Sequence, residues 1–385
     1  MRMFSKLIAV TAAAASAAAV ALAPALADPI TGSGKAVVPK QSDVVGVGSD
    51  TSYNLLDQLM IDYNASHKTG ARLYSWDALD PKTGLDNNIS TKTTCAQILR
   101  PNGSSAGVSA LIVNTQSGDH KHFCIDFARS SRGRKSTDPS KGPGGIVFVA
   151  LAKDAETYAT NSVTNAPPNL TTAQLHAIYT CTATRWNQVG GTSTATIDPQ
   201  IPQVGSGTRA FWETAIGITD STLGACVGQT AEENEGVNPV FTGPNAANVI
   251  IGYSIGKYLA EKFHSAKCIN KACTPVSGVT CHPKAGQNRF SCDTHGNMVL
   301  HMINGKQPTT GTGKNTIINL HFTPNFLRTI FDVVRWTATP DNIPAYLDKI
   351  FGPASRGGWA CKSPVARQDM INYGFLPTPF CGTGS

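Results

Sequence analysis

Apolar residues along the chain fall into short β-branched runs that alternate with segments of helical spacing. Val44-Val45-Gly46-Val47 is one such run, and Thr51 to Tyr63 follows it with Leu55, Leu56, Leu59 and Met60 on one helical face. The pattern predicts strand, glycine turn, helix. The same unit recurs downstream. Arg72 to Trp76 predicts a strand, and Gly103-Ser104-Ser105-Ala106-Gly107 leads into a helix over Val108 to Val113. His122 to Ala128 predicts a strand, and Gly145 to Ala152 (GIVFVALA) a buried one. A helix over Leu170 to Tyr179 opens at Thr171 or Thr172, and a short strand over Ile201 to Val204 precedes Gly205-Ser206-Gly207-Thr208 and a helix over Arg209 to Ile216. Val249 to Gly252 predicts a strand and Ile255 to Phe263 a helix. Phe326 to Trp336 has Phe326, Leu327, Ile330, Phe331 and Val334 at helical spacing, which predicts a further helix. Strands alternating with helices define an α/β class. Residues 267–296 interrupt the alternation with four cysteines among Pro, Gly and Asn, which reads as a disulfide-stapled surface insertion.

The N-terminus has its own pattern. Arg2 and Lys6 precede an Ala-rich apolar stretch from Leu7 to Leu26, closed by Ala25-Leu26-Ala27. This predicts a secretory signal peptide over 1–27, with no cysteine beside the cut to carry a lipid. Residues 28–42 lack an apolar period and are expected to form a flexible leader. A chain of 385 residues is long enough for two domains. Two of its seven net positive charges lie in the signal, and the mild remainder argues against nucleic acid as a partner. All ten cysteines follow the signal, and an even count in an exported chain points to disulfides. Sequence alone leaves the pairing open. Neighbour pairing is expected: 95–124, 181–226, 361–381, and two bridges among Cys268, Cys273, Cys281 and Cys292. No C-x2-C pair is present, so neither zinc nor any other metal or cofactor is expected.

Three turns share one chemistry: Gly46-Val47-Gly48-Ser49-Asp50-Thr51, Gly103-Ser104-Ser105-Ala106-Gly107 and Gly205-Ser206-Gly207-Thr208-Arg209. Each precedes a predicted helix, whose first N–H groups lack intrahelical partners and carry the positive end of the dipole. Glycine admits close backbone approach and Ser or Thr adds a hydroxyl, so such turns suit an oxyanion. Taken singly, each Ser or Thr also reads as a plain N-cap. A fourth segment, Asp126 to Lys135, leaves a predicted strand and turns basic. Arg129 at the strand end offers a planar donor fork.

At these residues the chain resembles the periplasmic phosphate-binding proteins of ABC uptake systems, over about 43–263. The family's G-x-G-x-T turn, its G-S-S-G-G turn, its D-F-G-A-S-D segment and its G-S-G-T turn correspond to Gly46–Thr51, Gly103–Gly107, Asp126–Ser131 and Gly205–Thr208. Its crossover strand corresponds to Gly144 to Ala152 and its return crossover, I-G-Y, to Ile251-Gly252-Tyr253. The resemblance implies a two-lobed type II periplasmic-binding-protein fold with two crossover strands. Lobe 1 would hold 43–144 and 249–385, lobe 2 would hold 145–248, and hinge closure would grip the ligand. It further implies a periplasmic or secreted monomer that captures inorganic phosphate or a similar oxyanion for the permease of an ABC transporter, without enzyme activity. The implied ligand set is Ser49, Asp50, Thr51, Ser104, Ser105, Arg129, Ser130, Ser206, Gly207, Thr208 and Arg209. Ser131 stands where the family has an Asp that accepts the phosphate proton, and Pro202 about where it has an Arg. The expectation is therefore that Asp50 supplies the acceptor and Arg129 or Arg209 the positive counterpart.

Three other readings compete. Gly103-Ser104-Ser105-Ala106-Gly107 also matches G-x-S-x-G, which would make the chain a secreted serine hydrolase with Ser105 as nucleophile. Pro101 just ahead of it is unsuited to the central strand that motif requires. His120 and His122 could face one way on a strand and hold a metal, but a surface loop is expected there. A secreted phosphate-binding module with no transport role is the third.

Overall fold

The computed structural model describes residues 28–29, 37–80, 86–113, 115–236, 238–263, 295–340 and 342–385. The predicted signal and most of the Cys-rich insertion lie outside the described residues. The strands of three or more described residues are β1 (Val44–Gly48), β2 (Leu73–Ser75), β3 (Phe127–Ser130), β4 (Ile146–Asn161), β5 (Asp198–Pro202), β6 (Gly228–Ala231), β7 (Val249–Ser254), β8 (Met298–Leu300) and β9 (Leu327–Arg335). They run in the order β2-β1-β3-β9-β4-β7-β5-β6, with β8 paired to the far end of β4. The α-helices of seven or more described residues are α1 (Tyr53–Ser66), α2 (Ser104–Ile112), α3 (Thr172–Tyr179), α4 (Gly207–Ile216), α5 (Ile255–Phe263), α6 (Ala345–Phe351) and α7 (Pro364–Asn372).

β4 organises the molecule. Its 16 residues are buried on both faces almost throughout, as expected of a strand covered on both sides. Its first half belongs to one hydrophobic core, with Ile146 to Phe148 packed beside Val44, Leu55, Phe127 and Ile330. Its second half belongs to another, with Tyr158 and Ala159 beside Trp212, Ile250 and Phe326. The two cores divide between Ala152 and Ala155, where apolar β4 residues give way to Lys153 and Asp154. β1, β2 and β3 are parallel in the first half, and β7, β5 and β6 in the second. The antiparallel partners β9 and β4 run between them.

Two expectations are corrected. Phe326 to Trp336 is strand β9, not a helix. Its apolar spacing satisfies a helical template. Yet Thr329, Ile330, Val333 and Val334 are β-branched, and the strand is enclosed between β3 and β4 with a bulge at Ile330/Phe331. The strand returning to the first core is therefore β9. Ile251-Gly252-Tyr253 lies in β7, antiparallel to the distal half of β4. In consequence Ile255, Tyr258, Met298, Ile318 and Phe322 pack in the second core, although 249–385 was expected in lobe 1.

Disulfides join Cys95–Cys124, Cys181–Cys226 and Cys361–Cys381. The last ties down a tail whose backbone adds to β4: Gly382 N–H donates to Ala150 O at 2.7 Å and Ser385 N–H to Phe148 O at 3.0 Å. Among the described residues no helix is long and apolar enough to cross a membrane, and no cluster of three or more His, Cys, Asp or Glu forms a metal site.

Candidate oxyanion site

The three glycine-serine turns meet at the junction of the two cores. In each, a glycine adopts a left-handed backbone just before the helix: Gly48 at φ 109°, Gly103 at 97° and Gly205 at 97°. A side chain would be strained there. Gly107 packs on the first turn so closely that a Cβ would stand 2.6 Å from Gly48 Cα. α2 begins at Ser104 rather than near Val108, so Ser104 and Ser105 occupy its first turn.

On the first-lobe side the hydroxyls of Ser49, Ser104 and Ser131 form a chain. Ser131 Oγ lies 3.2 Å from both Ser49 Oγ and Ser104 Oγ, and Ser131 N–H donates to Ser104 Oγ at 3.0 Å. Gly207 of the second lobe sits directly against them: a Cβ there would be 2.2 Å from each of the Ser104 and Ser131 hydroxyl oxygens. Beside this contact the lobes are joined by Ser105 N–H donating to Gly205 O at 3.0 Å. Thr51 Oγ1 and Thr208 Oγ1 stand 3.1 Å apart, one from each lobe.

Both threonine hydroxyls donate to one acceptor, Glu233 Oε1, each at 2.7 Å, and Thr208 N–H reaches the same oxygen at 3.3 Å. Glu233 follows β6 in the run Glu232-Glu233-Asn234-Glu235, all four residues buried. Asn102 Nδ2 donates to Glu232 Oε2 at 3.0 Å, and Asn234 Nδ2 donates to Asp50 Oδ2 and Thr51 Oγ1, both at 3.3 Å. This run crosses from the second lobe onto the first.

One cation at the junction is Arg328 on β9. Its guanidinium pairs with Asp154 and Glu156 on β4, with Nε to Asp154 Oδ2 at 2.8 Å, and Nη2 donates to Thr208 Oγ1 at 3.3 Å. Burial pushes the Glu156 carboxyl well above the usual range; Arg328 opposes this, while Asp154 and Glu233 add to it. Asp154 also accepts from Ser254 Oγ and Gly256 N–H, which fixes the start of α5. On the other side of Asp50, Lys257 Nζ lies 3.8 Å from Asp50 Oδ1, donates to Asn54 Oδ1 at 2.7 Å and stands 3.8 Å from the centre of the Tyr53 ring.

The expected ligand residues divide accordingly. Ser49, Asp50, Thr51, Ser104, Gly207 and Thr208 come together at the junction. Ser206 is the N-cap of α4, its Oγ accepting from Arg209 N–H at 3.0 Å. Ser130 is turned to its own backbone, donating to Arg132 O at 2.8 Å. Neither expected arginine has its guanidinium in the cluster. Arg129, fully buried, donates to Ser49 O at 3.1 Å, to Gly48 O at 2.8 Å and to Ser75 Oγ. It braces the first turn from beneath, because its β3 position faces carbonyls that a tight glycine turn leaves unpaired. Arg209 turns along α4 to Asp220, Gln229 and Pro202 O. Ser105 accepts from Arg132 Nε at 3.0 Å, and His122 pairs with Asp119 at 2.6 Å. The residues missed from sequence are Ser131, Glu233, Asn234, Lys257 and Arg328. The one available signal was charge interrupting apolar strands, at Lys153-Asp154-Ala155-Glu156 and at Arg328.

A bilobal sheet joined by two crossover strands, with glycine turns facing each other across the joint, is the architecture of a solute-binding protein. Residues 31–272 match the PBP superfamily domain, and the chain belongs to that family. Among solved structures it is similar to an ABC-type phosphate transport receptor from Vibrio cholerae, at 17% identity over 87% of this chain and 99% of that one, TM-score 0.51. It is also similar to a putative phosphate ABC transporter substrate-binding protein with bound phosphate from Clostridium perfringens, at 14% identity over 87% and 99%, TM-score 0.52. No curated protein matches the chain in sequence.

Proposed function

We propose that this chain is an exported solute-binding protein that captures inorganic phosphate or a related tetrahedral oxyanion between its lobes and delivers it to an ABC transporter permease. The observation that carries the reading is the convergence of neutral donors from both lobes. Thr51 and Thr208 hydroxyls and the Thr208 amide already meet on a carboxylate oxygen, with the Ser49–Ser131–Ser104 hydroxyl chain alongside. These are groups that bind an oxyanion without a large formal charge. The fold and the phosphate receptors it is similar to support the same ligand class. Arg328, rather than Arg129 or Arg209, supplies the positive counterpart, and Asp50 supplies the acceptor for a ligand proton. Binding rather than hydrolysis is supported by Ser105, whose hydroxyl meets Arg132 and not a histidine.

Calorimetry of residues 28–385 against phosphate, sulfate, arsenate and molybdate at two pH values tests the reading. Saturable one-to-one binding of phosphate is expected, and heat from none of the four anions refutes it.

A further inference from the structure

The donors assigned to the oxyanion are engaged by the protein itself. Glu233 Oε1 accepts from Thr51 Oγ1, Thr208 Oγ1 and Thr208 N–H, which lie on opposite sides of the joint. Its second oxygen, Oε2, is buried with no hydrogen-bond partner among the described residues, and the residue is 1% exposed. A carboxylate with one oxygen triply bonded at a helix N-terminus and the other bare is the arrangement of a bound anion, not of a surface side chain folded inward. Its neighbours hold it in place. Glu232 accepts from Asn102, and Asn234 donates to Asp50 and Thr51 while Tyr253 O–H donates to Asn234 O. Ser254 N–H donates to Asn234 Oδ1 at 2.9 Å.

The geometry points to Glu233 as a resident ligand of the oxyanion site. Its carboxylate bridges the lobes in the closed form, and capture proceeds by displacing it from Thr51 and Thr208. The inference rests on the oxyanion reading for the identity of the displacing ligand, but not for the bridge. Displacement has two consequences. The protein closes without solute, and solute affinity is lowered by the fraction of molecules in which Glu233 is seated. A carboxylate seated in about nine molecules in ten lowers apparent affinity by about tenfold.

The test uses Glu233→Ala and Glu233→Gln in the signal-free chain, in chloride buffer free of oxyanions, with circular dichroism melts to establish that each variant is folded. Small-angle scattering reads the bridge. The wild type is expected to be compact without solute, and Glu233→Ala to have a larger radius of gyration that phosphate reverses. Calorimetry reads the competition. Phosphate affinity is expected to rise at least about tenfold in Glu233→Ala, and by less in Glu233→Gln, which keeps an acceptor oxygen and loses the charge. An unchanged ligand-free radius in Glu233→Ala overturns the inference whether or not phosphate binds. Expansion with weaker phosphate binding overturns it too, because Glu233 would then help hold the solute. Expansion with no oxyanion binding to either protein upholds the bridge and removes the oxyanion reading. If Glu233→Ala does not fold, Glu233→Gln decides: phosphate affinity equal to or below wild type overturns the inference.

Discussion

Gly207→Ala separates closure from folding. The added Cβ would stand 2.2 Å from Ser104 Oγ and from Ser131 Oγ, and 3.0 Å from Ser104 Cβ. Two responses are open. The serines rotate away, which breaks the Ser131 N–H to Ser104 Oγ bond and both hydroxyl contacts of Ser131. These are buried bonds of about 1 kcal/mol each, and the Ser104 Cβ clash remains. Otherwise the lobes part by about an ångström, and the Ser105 N–H to Gly205 O bond and the Thr51–Thr208 contact weaken instead. Either way the closed form loses about 2–4 kcal/mol; about 1.3 kcal/mol of this is shared by a solute-free form closed in about nine molecules of ten, which leaves a fall of about 4- to 90-fold in phosphate affinity. The second lobe itself is not harmed, because Ala is a better helix residue than Gly by up to about 1 kcal/mol at the start of α4. The assay is calorimetry with phosphate beside a urea melt. Wild-type affinity in a variant of undiminished stability refutes the claim that Gly207 meets Ser104 and Ser131 in the binding-competent state.

Four further outcomes are expected. Arg328→Gln strands Asp154 and Glu156 at the joint, and should cost about 3–5 kcal/mol in a denaturant melt; a loss below about 1 kcal/mol contradicts the pairing. Asp332, buried opposite Arg129, is pushed up to about 8 by burial, against the lowering effect of Arg129. Its folded value lies above its unfolded one, so the stability it contributes is complete below about pH 4 and lost as pH rises through about 8. Asp332→Asn should recover about 2–4 kcal/mol of the wild-type loss between pH 5 and 9, and an unaltered pH slope counts against it. Asp50→Asn should narrow the discrimination between phosphate and sulfate in parallel titrations; unchanged ratios remove Asp50 as the proton acceptor. Replacing Cys361 and Cys381 together by serine opens a 20-residue loop and should lower stability by about 2–4 kcal/mol, with no change expected if the tail is held by its β4 bonds alone.

What the chain displays in local pattern was readable in advance. Val44–Gly48, α1, the Thr171-capped α3 and the β-branched start of β4 follow from periodicity and caps, because their neighbours reinforce local preference. The glycine turns were readable for a similar reason: left-handed backbone at Gly48, Gly103 and Gly205 demands that residue. β9 was not readable, since helical spacing and a doubly covered strand place apolar residues in compatible positions over so short a span. The distal half of β4, from Lys153 on, was missed because Lys153, Asp154 and Glu156 break an apolar run that tertiary pairing to β9 and β7 restores. Arg129 and Arg209 show the other limit. A guanidinium at a strand end or first helical turn reads as a ligand donor, but which partner it takes depends on carbonyls and carboxylates brought in from elsewhere. Glu233 could not be assigned at all, because its role exists only once residues 51, 208 and 233 meet across the joint.

The charge arrangement bears on how such a site selects a ligand. Asp154, Glu156 and Glu233 surround the single guanidinium of Arg328, so the joint offers little net positive potential to an incoming anion. On the proposed reading, affinity comes from aligned neutral dipoles, the Thr51 and Thr208 hydroxyls, the serine chain and the α4 amide, which gain strength because the joint is closed to water. Neutral donors cost less to bury than ammonium groups and do not attract anions indiscriminately. The carboxylates sharpen this. An anion that carries a proton near neutral pH can donate it to an acceptor such as Asp50, whereas a fully ionised anion places bare charge against one. A cleft poor in net positive charge therefore discriminates by protonation state instead of by charge alone. That logic requires phosphate to be preferred over sulfate although sulfate carries at least as much charge near neutral pH, and requires the preference to fall when Asp50 is neutralised while Arg328 is left intact.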